Sequence, residues 1–173
     1  IAFIVFIFSI SIGSFLNVCI YRIPTGQSIV SPGSFCPECK NAIPVYFNIP
    51  LLAYIILAGK CKFCRTKISI RYFLVELLTG CMGVFCFFKF GLTLPMIFWF
   101  VFTCVLITIS FIDFDHQIIP DIISIPGIFI FATSFIFIPE MTWVDSLLGV
   151  LLGGGSLFAV AWGYYLIRRQ EGM

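Results

Sequence analysis

The stretch "FIDFDHQIIPD", residues 111–121, decides how this chain is read. Three aspartates and the only histidine stand within these eleven residues, between two long apolar runs. If the flanking runs are membrane helices, the acids lie at a membrane boundary, where charge is costly unless it serves a purpose. Composition supports that premise. Of 173 residues, 61% are hydrophobic and only 10% are charged, and the mean hydropathy is +1.13. A soluble domain carries roughly a quarter charged residues, so that class is excluded. The net charge of +2 carries little information, because placement of charge outweighs its sum in membrane proteins.

A spanning helix needs about 20 mostly apolar residues. Five segments qualify: Ile1–Ile20, Tyr72–Phe88, Leu94–Ile112, Ile122–Ile138 and Trp143–Ile167. The expected fold is all-α, a polytopic membrane bundle interrupted by one polar insertion. The organisation is a first span (1–20), a loop (21–71) and a bundle of four further helices (72–173). The opening run lacks a basic start and a small-residue cleavage site, so it reads as a retained helix and not as a signal peptide. The chain begins at Ile1 inside an apolar run and stops at Met173 after a basic cluster. Both ends therefore read as cuts in a longer protein. The segment Ile43–Ala58 is short and holds Pro44, Asn48 and Pro50, which points to a re-entrant or interfacial piece. The run Gly153–Gly155 reads as a helix-packing feature; no strand precedes it and no Lys-Ser/Thr follows, as a phosphate loop would require. No internal repeat stands out.

Basic residues give the orientation. Arg22, Lys40, Lys60, Lys62, Arg65, Lys67 and Arg71 lie in the insertion, Arg168 and Arg169 follow the fifth span, and Lys89 alone is left elsewhere. The positive-inside rule puts the insertion and the C-terminal end in the cytoplasm. Five spans then place Ile1 and Lys89 outside, and Asp113–Asp121 on the same side as the insertion.

Cys19, Cys81, Cys86 and Cys104 lie singly in apolar runs and read as small packing residues. The other four form Cys36-Pro-Glu-Cys39 and Cys61-Lys-Phe-Cys64. Two such pairs supply four thiolates for tetrahedral zinc, and a closed shell of four cysteines is structural because no coordination position stays open. Neighbouring lysines and arginines favour the thiolate form. The competing reading is four reduced free thiols; disulfides do not suit a cytoplasmic loop. The expectation is a zinc-ribbon-like loop on Cys36, Cys39, Cys61 and Cys64.

Motifs in order then carry a resemblance. Gly13-Ser14-Phe15-Leu16-Asn17 runs into Tyr21-Arg22-Ile23-Pro24, followed by Ser31-Pro32, the first cysteine pair, Asn48-Ile49-Pro50 and the second pair. Ile68-Ser69, Arg71-Tyr72 and Glu76-Leu77 lead on to Ile112-Asp113-Phe114-Asp115-His116-Gln117 and Ile119-Pro120-Asp121. Over nearly its whole length the chain resembles the bacterial type IV prepilin peptidases, or leader peptidase/N-methyltransferases. The resemblance implies an aspartic protease of the inner membrane that removes the leader of prepilins and pseudopilins at the cytoplasmic face. It also implies methylation of the new N-terminus with S-adenosylmethionine as donor. Prepilins and the lipid bilayer are the implied partners, and no nucleic acid is expected.

By the same resemblance, Asp113 is one catalytic aspartate. The other belongs to a Gly-x-Gly-Asp motif that does not occur in these residues; because Glu171-Gly172-Met173 resembles the run leading into it, that aspartate is expected just beyond Met173. The remaining acids carry competing readings. Asp115 is a supporting acid or a solvated helix end, and on a helix it points to another face than Asp113. Asp121 suits a helix start. His116 reads as a boundary residue or a proton carrier. Glu76, inside a span, needs a partner, for which Arg71, Arg22 and substrate are candidates. The family links acidic and basic residues of the N-terminal half to methyl transfer, which brings in Glu38 and Glu76. A non-catalytic membrane assembly protein with a zinc-binding loop is the alternative function.

Overall fold

The computed structural model describes residues 1–36, 38–44 and 49–168, with backbone alone at 157, 161 and 164–168. Pro37 and Asn48 of the family-like motifs, Arg169 of the basic cluster and the run 171–173 lie outside the described residues.

Among the described residues seven helices follow one another: α1 (Ala2–Arg22), α2 (Leu52–Ile56), α3 (Ile70–Phe90), α4 (Leu94–His116), α5 (Asp121–Ala132), α6 (Ser134–Phe137) and α7 (Trp143–Arg168). Among the described residues the only β pairing is two isolated bridges in the loop. Among the described residues four helices, α1, α3, α4 and α7, are long and apolar enough to cross a membrane, and the protein is a multi-pass membrane protein. All four of these helices run past the apolar runs expected for them. In particular, α4 continues past Ile112 to His116, so Asp113 and Asp115 are helical. The expected span Ile122–Ile138 is not one rod. It breaks at Thr133 into α5 and α6, with Pro126 inside α5 removing a backbone donor. The Thr133 hydroxyl donates to the Ile130 carbonyl at 2.6 Å, a local bond that competes with the helix ladder. Within Ile43–Ala58, the described residues form only the five-residue α2, too short to cross.

The chain divides into two compact units, Ile1–Ser124 and Ile125–Met173. In the first, α1, α3 and α4 pack together around Leu16, Ile20, Val75, Phe100, Ile107 and Ile112. Glycine permits the closest approach. A Cβ on Gly13 would stand 2.8 Å from the Glu76 Cα, and one on Gly83 would collide with the Ser9 side chain. Small residues let helix backbones meet where lipid offers no hydrophobic drive to join them. Buried Thr79 and Thr108 satisfy their hydroxyls on the carbonyls one turn back, at 2.7 and 2.9 Å. Cys19, Cys86 and Cys104 are buried as expected, but Cys81 is exposed because it falls on the outer face of α3.

In the second unit, α6 packs on α7, joined by Ser134 and Ser146, whose hydroxyl oxygens are 2.8 Å apart. Thr142 and Asp145 form a reciprocal capping box: the Asp145 carboxylate accepts from the Thr142 N–H at 2.9 Å, and the Thr142 hydroxyl accepts from the Asp145 N–H at 3.2 Å. Gly153, Gly154 and Gly155, read from sequence as a packing feature, have nothing near their Cβ positions.

Candidate functional site

The loop between α1 and α3 folds around its cysteines by using one turn twice. In the first, the Cys36 N–H donates to the Asn41 carbonyl at 3.0 Å and the Lys40 N–H to the Cys36 carbonyl at 2.9 Å. In the second, the Cys61 N–H donates to the Thr66 carbonyl at 2.8 Å and the Arg65 N–H to the Cys61 carbonyl at 3.0 Å. Lys40 and Arg65 hold the same left-handed conformation, with φ of 58° and 59°. The bridges Phe35–Ala42 and Lys60–Lys67 close the two turns alike. A local structural repeat therefore exists where the sequence showed none, because only the cysteines and the following basic residue are shared.

The two turns bring the four sulfurs together. Cys36 Sγ is 3.8 Å from Cys64 Sγ, Cys39 Sγ is 4.0 Å from Cys61 Sγ, and all four lie within 4.8 Å of one another. Disulfide sulfurs stand about 2.05 Å apart, so these are not disulfides. A tetrahedron with metal–sulfur bonds of about 2.3 Å has edges of about 3.8 Å, and the cluster is of that size. It is a set that could hold a metal ion. The Thr66 hydroxyl, 3.4 Å from the Cys64 sulfur, and then its backbone N–H hold the Cys64 thiol down at about 6. At Cys36 the Cys39 N–H works against burial, yet the thiol is pushed up to about 11. Four adjacent thiols do not all ionise by themselves; a coordinated cation would deprotonate them together.

Between this loop and the helices α1 and α3 lies a cavity of about 440 Å³. Arg22 ties the loop to α1, donating to the Ser28 and Gly33 carbonyls at 2.8 and 3.1 Å. Asn17 donates to the Tyr72 carbonyl at 3.0 Å, joining α1 to α3. Glu76 is buried, and its carboxylate accepts the Leu51 N–H at 2.7 Å. Leu51 sits at φ 60°, ψ −49°, a strained conformation for a residue with a Cβ, and this hydrogen bond helps to hold it. So Glu76 anchors the loop. Its partner is a backbone amide, which sequence reasoning had no means of naming. Arg71, offered there as a partner for Glu76, instead forms an ion pair with Asp115.

That ion pair has a geometric consequence. Arg71 lies in the first turn of α3 at the end of the cysteine loop, and Asp115 lies in the last turn of α4. The acidic stretch and the polar loop therefore sit at the same end of the helices in this unit. It also means that Asp115 is not simply a solvated helix end: its side chain is 27% exposed and is held by Arg71. Asp113 is exposed on the last turns of α4, and its carbonyl accepts the N–H of Gln117, which ends the helix in a left-handed conformation. His116 is the exposed last residue of α4, and Asp121 is the first residue of α5, where an acid complements the helix dipole.

Comparison with known proteins gives the family. The family profile described as the Bacterial Peptidase A24 N-terminal domain matches residues 7–90, and that of the Type IV leader peptidase family matches residues 100–173. A prepilin leader peptidase/N-methyltransferase of Dichelobacter nodosus is 35% identical across 99% of this chain and 69% of its own length. The protein of that name from Neisseria gonorrhoeae is 34% identical across 94% of this chain and 65% of its own. One from Myxococcus xanthus is 44% identical across 73% of this chain and 38% of its own. The chain thus spans about two thirds or less of these relatives. No solved structure matches it.

Proposed function

The chain belongs to the type IV leader peptidase family, and from that membership we propose that the whole protein is a membrane-embedded aspartic endopeptidase of prepilins and pseudopilins. It removes their leader at the cytoplasmic face of the inner membrane and methylates the new N-terminus with S-adenosylmethionine. Asp113 is one of its two catalytic carboxylates, and the second is the aspartate expected beyond Met173. Asp115, Asp121 and Glu76 have supporting roles, Cys36, Cys39, Cys61 and Cys64 hold a structural zinc ion, and the first span, the loop and the later bundle are its three parts.

The observation that carries this reading is the Arg71–Asp115 ion pair. It keeps the end of α4, with Asp113, beside the basic loop. A peptide with a basic leader would meet that loop as it enters, and an exposed aspartate at a helix end is in reach of a peptide bond emerging from the membrane. In the proposed step, one carboxylate is ionised and takes a proton from water, while the other is protonated and polarises the scissile carbonyl. Two adjacent acids share one proton because both do not ionise cheaply together. Zinc fits the sulfur cluster in size and donor type, and a closed thiolate shell would staple the loop without entering the reaction.

The test is leader cleavage by the full-length protein in detergent. Asp113→Asn keeps the fold and lowers cleavage by about 100-fold or more, the usual contribution of a positioned acid or base. Normal cleavage by that variant would sink the assignment.

A further inference from the structure

We propose that Arg71 is a positioning residue of the peptidase: paired with Asp115, it holds the last turn of α4 helical and thereby aims Asp113. The inference rests on the proposed function for the role of Asp113. It adds a residue of the N-terminal half on which that aspartate depends.

Packing leaves the end of α4 unsupported. Ile112 is fully buried, but no residue from Asp113 to Gln117 is, so the core stops one turn short of the helix end. Segments with few buried apolar contacts open locally. Among the described residues the Arg71–Asp115 pair is the only ion pair or side-chain hydrogen bond on residues 113–117. Asp113 and Asp115 are two residues apart and point to different faces. Holding Asp115 therefore fixes the turn that carries Asp113 and leaves the Asp113 carboxylate out of the pair.

Helix electrostatics also works against this turn. A helix carries partial negative charge at its C-terminal end and partial positive charge at its N-terminal end. Two aspartates stand at the negative end of α4, and an arginine stands in the first turn of α3, where there is no acid. Each charge has the wrong sign for its own helix. His116 offsets the acids only when protonated. Paired across the two helices, Arg71 and Asp115 offset each other. Charges set against local preference are expected where function demands them. Arg71 is itself fixed in place: the Ser69 hydroxyl accepts its N–H at 3.3 Å, and its guanidinium carbon lies 5.7 Å from the centre of the Tyr72 ring. The pair is made through one nitrogen, Nη1.

The test compares full-length wild type, Arg71→Gln, Asp115→Asn, the double variant and Arg71→Lys in detergent. It reads kcat and KM for prepilin cleavage, zinc content, and amide hydrogen exchange in a peptide spanning residues 112–117. Arg71→Gln is expected to lower kcat by up to about fivefold, the scale of one partly exposed ion pair. KM and zinc content should hold, and exchange at 112–117 should quicken. The double variant should lose no more than Arg71→Gln, because both remove the same pair. Arg71→Lys, which keeps a charge for this single contact, should recover most of the loss. Unchanged kcat, unchanged exchange, or losses that multiply in the double variant would overturn the inference. If Arg71→Gln fails to fold, Asp115→Asn, which leaves the loop alone, decides by the same kcat and exchange. A wild type that cleaves no prepilin would bring down the proposed function instead.

Discussion

In the unit Ile1–Ser124 the glycines of α1 and α3 sit against neighbouring helix atoms, whereas in Ile125–Met173 those of α7 meet no described atom of their own unit. Both regions place glycines in helices apolar enough to span a membrane. The first also carries Asn17, Arg22, Glu76 and Arg71, each held by another element or by the loop. The second holds its polar groups locally, in the Thr142–Asp145 cap and the Ser134–Ser146 pair. Apolar surface on a membrane helix carries little information, because lipid accepts it anywhere. Where backbones touch and where polar groups find partners is what separates a packed site from a plain span.

The largest effect expected is at the loop of the first unit. Cys39→Ser removes one of four sulfurs, and structural zinc in such sites is worth on the order of 10 kcal/mol of folding. Metal analysis of the purified variant should find the zinc lost, limited proteolysis should cut within residues 21–71, and methylation should suffer more than cleavage. Zinc retained at the wild-type level would break the assignment.

The glycines test the contrast directly. Gly83→Leu should destabilise the protein by about 1–3 kcal/mol through overpacking against Ser9. Gly154→Leu should stay within about 0.5 kcal/mol, as for a surface site. Unfolding in mixed micelles compares them, and equal losses would show that α7 packs as closely as α3.

Asp115→Asn removes a partly exposed ion pair, worth up to about 1 kcal/mol, so leader cleavage should fall only a few-fold. Loss as deep as that of Asp113→Asn would make Asp115 the catalytic acid. Asp121→Asn is the smallest change, about 0.3–1 kcal/mol at the start of α5, read in the melting temperature with cleavage nearly unchanged.

The class of protein, the two cysteine pairs and the acids at the end of an apolar run were legible along the chain. Hydropathy, thiol spacing and the position of a charge relative to a span are properties of neighbours in sequence, and the order of motifs carried the family. Which residues meet across helices was not legible. Glu76 accepts an amide from Leu51, Arg71 takes Asp115, and the two cysteine turns repeat each other's conformation. Gly13 and Gly83 pack closely while Gly153–Gly155 do not, and α5 ends at Ala132. Each depends on how rods of similar apolarity are set side by side. Hydrophobicity alone is satisfied by many such arrangements in a bilayer, and only the pairing of a few polar groups and the fit of small residues select among them.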